Sequence, residues 1–503
     1  MRILASAMLC ALAACQSPPS GQNTLPAAQG SFDSANSTAC ERRVNDTLDK
    51  LEACVKRERL WERLAHFQRI ADDHPGRHGH GNRDTGTAGY AASVAYVAAL
   101  MRNAGYAVTI QRYTYEKTEF VNTPQLRVDG RPYAFERDWF VARRSAAGAV
   151  TAKVEAPNGV LSGCSPLGFS GFRPGSIALL QRGDCDFDTQ VSNAKAAGAA
   201  AVILYDTTPS AYEARLIDAA PIPVVGVVSR ALARDLLERS RRGESPIVSI
   251  TVRSASRSDV DYNVIADSPF GDAKRVVAVD AHLDSIYGAG MLDNASGSTT
   301  ILEIALDLAK TPTRNKLRFI WFGGEEIGLL GSRYYTKHLS RSELRRIVFD
   351  VDVDVTATPN FDFLIADPAH AHRVKQFPPN VVPDSKIGND YFRDFFERTG
   401  VAARPANFGN NGTDSLSFSF VGVPNSGILT QQDCCKHNWE IALWGGERGN
   451  YEGKIGSFNG GCVDYPHRWC DNLSNNDPLV LELASRAVAY VVFKLANRPH
   501  YAW

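Results

Sequence analysis

Arg275-Val-Val-Ala-Val-Asp280 leads into Ala281-His282-Leu283-Asp284, a β-branched run that ends at a histidine and an acid. The pattern recurs twice. Lys316-Leu-Arg-Phe-Ile-Trp-Phe322 runs into Gly323-Gly324-Glu325-Glu326, and residues 347–355 carry Asp350, Asp352 and Asp354 along one side. Between these runs lie two stretches of helical spacing, 298–310 and 329–339. Strands alternating with helices predict an α/β fold, with a mixed, largely parallel central sheet flanked by helices. Such sheets gather ligands beyond the carboxyl ends of their strands. His282 and the acids fall at those ends.

His282 and Asp284 stand two apart, so in extended chain their side chains share a side and the acid can orient the imidazole. Asp293, in Asp293-Asn-Ala-Ser-Gly297, stands at the mouth of a turn that opens a helix. There an aspartate serves equally as a helix N-cap or as a metal ligand. Glu325 and Glu326 are neighbours, so extended backbone sends them to opposite sides. One can bind metal while the other faces water as a proton carrier. Asp350, Asp352 and Asp354 share one face, and periodicity does not single out a ligand. Stacked acids need a cation or solvent beside them. His467 lies in Cys462-Val-Asp-Tyr-Pro-His-Arg-Trp-Cys-Asp471, a loop that a disulfide would hold rigid. Two imidazoles and three carboxylates are the donors of a zinc pair that shares one carboxylate. The sequence has no Gly-x-Ser-x-Gly elbow and no His-Glu-x-x-His helix to support a different hydrolytic chemistry.

Working outward, residues 41–75 carry a helical period through Leu48, Leu51, Val55, Leu60, Leu64 and Ile70. A second helix follows Gly86-Thr87-Ala88-Gly89 and closes at Gly105, and residues 106–113 alternate as a strand. These elements begin an α/β domain whose remainder comes much later. The middle of the chain has its own pattern. Ile177-Ala-Leu-Leu-Gln181, Ala200-Ala-Val-Ile-Leu-Tyr205 and Ile222-Pro-Val-Val-Gly-Val-Val228 read as strands, with Ser229 placed to cap a helix.

Several motifs point the same way. They are His282-Leu-Asp-Ser285, Leu292-Asp-Asn-Ala-Ser-Gly297, Phe322-Gly-Gly-Glu-Glu-Ile-Gly-Leu-Leu-Gly-Ser332, Val353-Asp-Val-Thr-Ala-Thr-Pro-Asn360 and His467-Arg-Trp-Cys-Asp-Asn-Leu473, with Gly412-Thr-Asp-Ser415 and Val423-Pro424. In this order they resemble the secreted co-catalytic zinc aminopeptidases of the aminopeptidase Y type. Gly175-Ser-Ile-Ala-Leu-Leu-Gln-Arg-Gly-Asp-Cys-Asp-Phe187 and Ala194-Lys-Ala-Ala-Gly198 resemble the protease-associated domain that these enzymes carry as an insertion. The resemblance implies two zinc ions per chain and peptide substrates. The first ion would be held by His282, Asp293 and Asp354, the second by Asp293, Glu326 and His467, with Asp293 bridging. Glu325 would be the general base and acid, and Asp284 the residue behind His282. The match at Thr358-Pro-Asn360 picks Asp354 from its stack. It also implies a division into a signal peptide (1–14), a tether (15–38), a peptidase part (39–145), the protease-associated domain (146–252) and a second peptidase part with the metal site (253–503). One departure is Pro466, where some members place a tyrosine; here Tyr465 stands one earlier. The same scaffold carries carboxypeptidases, glutaminyl cyclases and non-catalytic binding proteins. The presence of five ligand candidates and a base speaks against the non-catalytic reading; peptides with free and blocked N-termini separate amino- from carboxypeptidase, and a metal count near two per chain argues against the cyclase.

The 503 residues are 44% hydrophobic, enough for a large core, and 55 basic residues balance 55 acidic ones. No net field favours nucleic acid or an anionic membrane. The chain opens with one arginine and an apolar run ending in Leu12-Ala13-Ala14-Cys15, which reads as an export signal and resembles the bacterial lipobox. A Ser-, Pro-, Gly- and Gln-rich stretch follows as a tether. The expectation is export from a bacterial cell, with membrane attachment through a lipidated Cys15, or secretion. Eight later cysteines favour disulfides, with Cys40–Cys54, Cys164–Cys185 and Cys462–Cys470 suggested by proximity and Cys434-Cys435 left open. Replacing Cys15 with Ser should move the protein from the membrane to the soluble fraction. Unchanged fractionation of the variant would rule out the anchor.

Overall fold

In a strand, alternate residues face opposite sides of the sheet, so the parity of each position decides which layer it meets. The computed structural model describes residues 35–76, 79–183, 185–206, 214, 216, 219–286, 288–371, 373–406, 413–430, 436–447 and 471–499. Its central sheet has eight strands, in the spatial order Ala107–Phe120, Ser254–Asp267, Asn315–Phe322, Asp272–His282, Ile347–Val353, Asn425–Leu429, Leu364–Ala366 and Arg404–Pro405. The four inner strands, Asn315–Phe322 through Asn425–Leu429, run parallel. Antiparallel pairing enters at Ser254–Asp267 and at Leu364–Ala366. The sheet is therefore mixed, as the sequence pattern implies.

Val277, Val279 and Ala281 share one face with Leu317, Phe319, Trp321, Phe349, Val351 and Val353. The helices Arg57–Asp73, Ala88–Ala104, Ser296–Leu308 and Pro478–Ala496 close over that face in the largest apolar cluster. Each fully buried aliphatic or aromatic side chain there contributes about 1.5–3 kcal/mol relative to exposure. The opposite face carries Val276, Ala278, Ile320 and Phe322, and is covered through Tyr335 and Phe418 by the short helices Leu330–His338 and Ser415–Phe420. By the same parity, Asp280, His282, Asp350 and Asp352 turn toward this thinner layer.

A second eight-stranded sheet runs in the order Arg131–Tyr133, Gln125–Val128, Ile247–Val252, Gly148–Glu155, Ile177–Gln181, Ala201–Tyr205, Val224–Val227 and Trp139–Val141. It has its own two apolar clusters. Three of its strands come from residues 125–141, upstream of position 146. Its helices start where the side chains allow: Asp186 accepts from the Thr189 amide, and Ser229 from the Leu232 amide. The chain enters and leaves this sheet along two strands of the central one, paired from Ala107 opposite Asp267 to Phe120 opposite Ser254.

Disulfides join Cys40 to Cys54 and Cys164 to Cys185. Cys434, Cys435, Cys462 and Cys470, with the leader cysteines, lie outside the described residues. Among the described residues no helix is long and apolar enough to cross a membrane.

One ion network is buried between the helices. Arg59 is 7% exposed, its Nε lies 2.5 Å from Glu303 and its Nη1 2.9 Å from Asp307, and both carboxylates are fully buried. Burial and Glu303 push the Asp307 carboxyl up, and Arg59 draws it back. Replacing Arg59 with Met leaves buried acids short of a countercharge, which should cost about 3–5 kcal/mol. Urea unfolding measures it. A loss below about 1 kcal/mol, the scale of an exposed ion pair, would show that the network is dispensable.

Candidate metal centre

His282 ends its strand, and its Nε2 lies 3.1 Å from Asp293 Oδ1 and 3.3 Å from Asp354 Oδ1. These three donor atoms all lie within 4.8 Å of one another. An imidazole nitrogen with two carboxylate oxygens is a donor set that suits zinc. The other ring nitrogen, Nδ1, is 3.1 Å from the Asp284 carbonyl and 3.5 Å from its carboxylate. A proton held on Nδ1 by that carbonyl leaves the Nε2 lone pair for a cation. Burial pulls the His282 imidazole down, but the Asp354, Asp284 and Asp293 carboxylates outweigh it and hold the ring well above its usual range.

Asp354 is the residue just past the Ile347–Val353 strand, which is what sets it apart from the rest of its stack. Asp293 sits in the turn Met291–Ala295. The following helix, Ser296–Leu308, has Ala295 at its N-cap position with no side-chain capping bond. The N-cap alternative for Asp293 therefore falls away. Glu326 is buried on the neighbouring loop, outside the group of three that converge. His467 lies outside the described residues, as do Tyr465 and Pro466.

Asp284 does more than face the imidazole. Its Oδ2 accepts from Thr85 Oγ1 at 2.8 Å, and its two oxygens accept from the Glu325 and Glu326 amides at 3.2 and 3.3 Å. It therefore holds the turn that carries both glutamates. The turn closes on itself, with the Gly328 and Leu329 amides donating to the Glu325 carbonyl at 2.8 and 2.9 Å. Gly323 is required at its start, because a Cβ there would meet the Tyr90 hydroxyl at 2.3 Å. Desolvation raises the Glu325 carboxyl well above its usual range; His282 opposes the rise, while Glu326, Asp354 and Asp414 add to it.

The Asp293 turn is held from three directions. Asn294 donates to the Val353 carbonyl at 2.9 Å and accepts from the Gly297 and Val355 amides, tying the turn to the chain that leads into Asp354. Asp471 accepts from the Leu292 and Asp293 amides at 2.7 and 3.1 Å, and its carbonyl from Met291. Arg83, fully buried, donates to the carbonyls of Leu283, Ala289 and Gly290, each at 2.8 Å. Burial pushes its guanidinium down to about 10, against the pull of Asp471, Asp284 and Asp84. None of these three had a role assigned from sequence. Asn294 and Asp471 lie inside the Leu292–Gly297 and His467–Leu473 motifs, and Arg83 lies in neither.

Beneath the centre four further acids are buried: Asp280, Asp350, Asp352 and Asp414. Asp280 is in register with Asp352 on the adjacent strand. Desolvation first, then one another's charge, pushes Asp280, Asp350 and Asp414 well above the carboxylate range. Asp352 reaches only about 6, because Ser415 and Thr413 donate to it.

The model of peptidase family M28 matches residues 263–492, and that of the PA domain residues 147–236. An aminopeptidase of Pseudomonas aeruginosa is 32% identical over 473 residues, covering 88% of this chain and 81% of the relative. A probable lipoprotein aminopeptidase of Mycobacterium tuberculosis, LpqL, is 28% identical over 450 residues, covering 87% and 84%. Among solved structures, an aminopeptidase from Aneurinibacillus sp. strain AM-1 superposes with a TM-score of 0.66 at 22% identity, covering 90% of this chain and 96% of that one. A zinc aminopeptidase of Bacillus subtilis gives 0.64 at 22% identity, covering 88% and 96%.

Asp471→Ala should free the Leu292 and Asp293 amides and loosen the carboxylate beside His282. The expected outcome is metal affinity weakened about 10- to 100-fold, measured by competition with a chelator. Unchanged affinity would mean that the turn keeps its shape without Asp471.

Proposed function

Because this chain belongs to peptidase family M28 and carries a PA domain, we propose that it is a zinc-dependent aminopeptidase that removes N-terminal residues from peptides. The observation that carries this reading is the approach of Asp293 and Asp354 to the free nitrogen of His282, with Glu325 held nearby by Asp284. His282, Asp293 and Asp354 would hold one zinc ion. Asp293, Glu326 and His467 would hold a second. Bound zinc supplies Lewis acidity, lowering the pKa of water toward neutrality and polarising a carbonyl oxygen.

The protein's own groups do the rest. Asp284 fixes the His282 ring through its carbonyl and the Glu325–Glu326 backbone through its carboxylate, so the ligand and the base keep their separation. Glu325 accepts the proton of the attacking water and returns it to the departing amine nitrogen. Its desolvated surroundings favour that role, since a carboxyl with a raised pKa is both a better base and a competent acid near neutrality.

The lipoprotein name of the mycobacterial relative supports export with a lipid anchor at Cys15. We place the protease-associated insertion between Phe120 and Ser254, wider at its start than 146–252 because the strands at 125–141 belong to its sheet, with a peptidase part on either side.

Glu325→Gln should keep its zinc content, measured by elemental analysis, and lose activity on aminoacyl-nitroanilides by about 10²- to 10⁴-fold. Near-native turnover in a metal-replete sample would remove Glu325 from the mechanism.

A further inference from the structure

The backbone polar groups of Glu325 and Glu326 are all held. Asp284 takes both amides, and the Gly328 and Leu329 amides close on the Glu325 carbonyl. The fourth group, the Glu326 carbonyl, accepts from the Arg143 guanidinium. Asp284, Gly328 and Leu329 belong to the peptidase part of the chain. Arg143 does not. It stands two residues past the Trp139–Val141 strand, at the edge of the inserted sheet.

The stretch that carries Arg143 is bound firmly into its own module. The Ala142 amide donates to the Val224 carbonyl and the Arg143 amide to the Ala214 carbonyl, each at 3.0 Å. Ala142 and Ala214 share one of the module's apolar clusters. Arg144 adopts a left-handed backbone (φ 61°), and its carbonyl accepts from the Ala220 amide at 2.9 Å. The Ser145 hydroxyl takes the Val224 amide at 2.8 Å. From this base two side chains reach the peptidase turn. Arg143 takes the Glu326 carbonyl, and the Arg144 guanidinium lies against Gly328, where an added Cβ would stand 2.5 Å from Nη2.

We infer that Arg143 is a positioning residue of the active site: through its guanidinium the inserted module sets the backbone from which Glu325 and Glu326 project. The inference rests on the proposed function, in which Glu325 moves the proton and Glu326 holds zinc. Both carboxylates hang from adjacent residues, so a tilt of the peptide units there moves base and ligand together. Asp284 restrains the amide side of those units, and Arg143 restrains the carbonyl that follows them. A guanidinium is a charged donor, and its hydrogen bonds are stronger than those of a neutral one. Misplacing reacting groups by about 1 Å costs about a hundredfold in rate, so a hold of this kind acts on turnover. The module is then a working part of the centre as well as an appendage.

The test compares Arg143→Met and Arg143→Lys with Arg173→Gln, which removes an ion pair with Glu155 elsewhere on the same module. In the zinc-loaded enzyme Arg143→Met should lower kcat on leucyl-nitroanilide about 10- to 100-fold, with KM held within about twofold. Arg143→Lys keeps a charged donor and should regain most of that loss, and Arg173→Gln should keep the wild-type kcat. Hydrogen exchange reads the same hold without turnover. The amides of residues 325, 326, 328 and 329 should exchange about tenfold faster in Arg143→Met than in the wild type, and those of the Asn315–Phe322 strand at an unchanged rate. Unchanged exchange at the turn overturns the inference, as does an unchanged kcat or an equal loss in Arg173→Gln. If the wild type cleaves no aminoacyl-nitroanilide, the aminopeptidase reading has failed, and the exchange measurement alone decides whether Arg143 holds the turn.

Discussion

Asp284 is the point where the site's separate pieces are made one. Its oxygens take a hydroxyl from Thr85, just before the helix Ala88–Ala104, and two amides from the turn after the Asn315–Phe322 strand. Its own carbonyl faces His282. Three hydrogen bonds to one carboxylate converge here in a buried place, where a polar group left without a partner is costly. A shift of His282 therefore drags the glutamate turn with it. The Asp293 turn answers to the same rule through Asp471 and Arg83, which grip backbone atoms rather than side chains.

The thin side of the sheet accounts for what surrounds this arrangement. Four buried acids next to one another cannot all ionise, because each charge raises its neighbour. Burial and their neighbours' charge therefore push Asp280 and Asp350 well above the carboxylate range, in a polar layer under His282. The helices over the opposite face bury the largest apolar cluster, with the Arg59–Glu303–Asp307 network set between them. Stability is concentrated on one side of the strands and chemistry on the other, and alternation along each strand keeps them apart.

Much of this was legible in the chain. Strands that stop at His282, at Gly323 and before Asp354 announce themselves through apolar runs ended by acids and glycine. The choice among Asp350, Asp352 and Asp354 was not legible from periodicity, because a repeat of two puts all three on one face. What sets Asp354 apart is that the strand ends at Val353, just before it, and that its Oδ1 lies 3.3 Å from His282 Nε2. Arg83 and Asp471 were hidden for a different reason. Their partners are backbone groups about 180 to 205 residues distant, and a backbone amide leaves no mark in sequence. The strands at 125–141 were hidden in the same way, since Gln125–Val128 pairs with residues 248–251.

The two fourteen-residue strands that lead to the inserted sheet have a consequence for how such a protein is assembled over evolution. Because Phe120 sits opposite Ser254, the module hangs from what is topologically the tip of a β-hairpin. Trading it for a short turn would leave every other strand connection of the peptidase as it is. Gain or loss of an entire accessory unit is then a change in loop length, while Arg144 shows how such a unit, once acquired, can reach back to the edge of the chemistry.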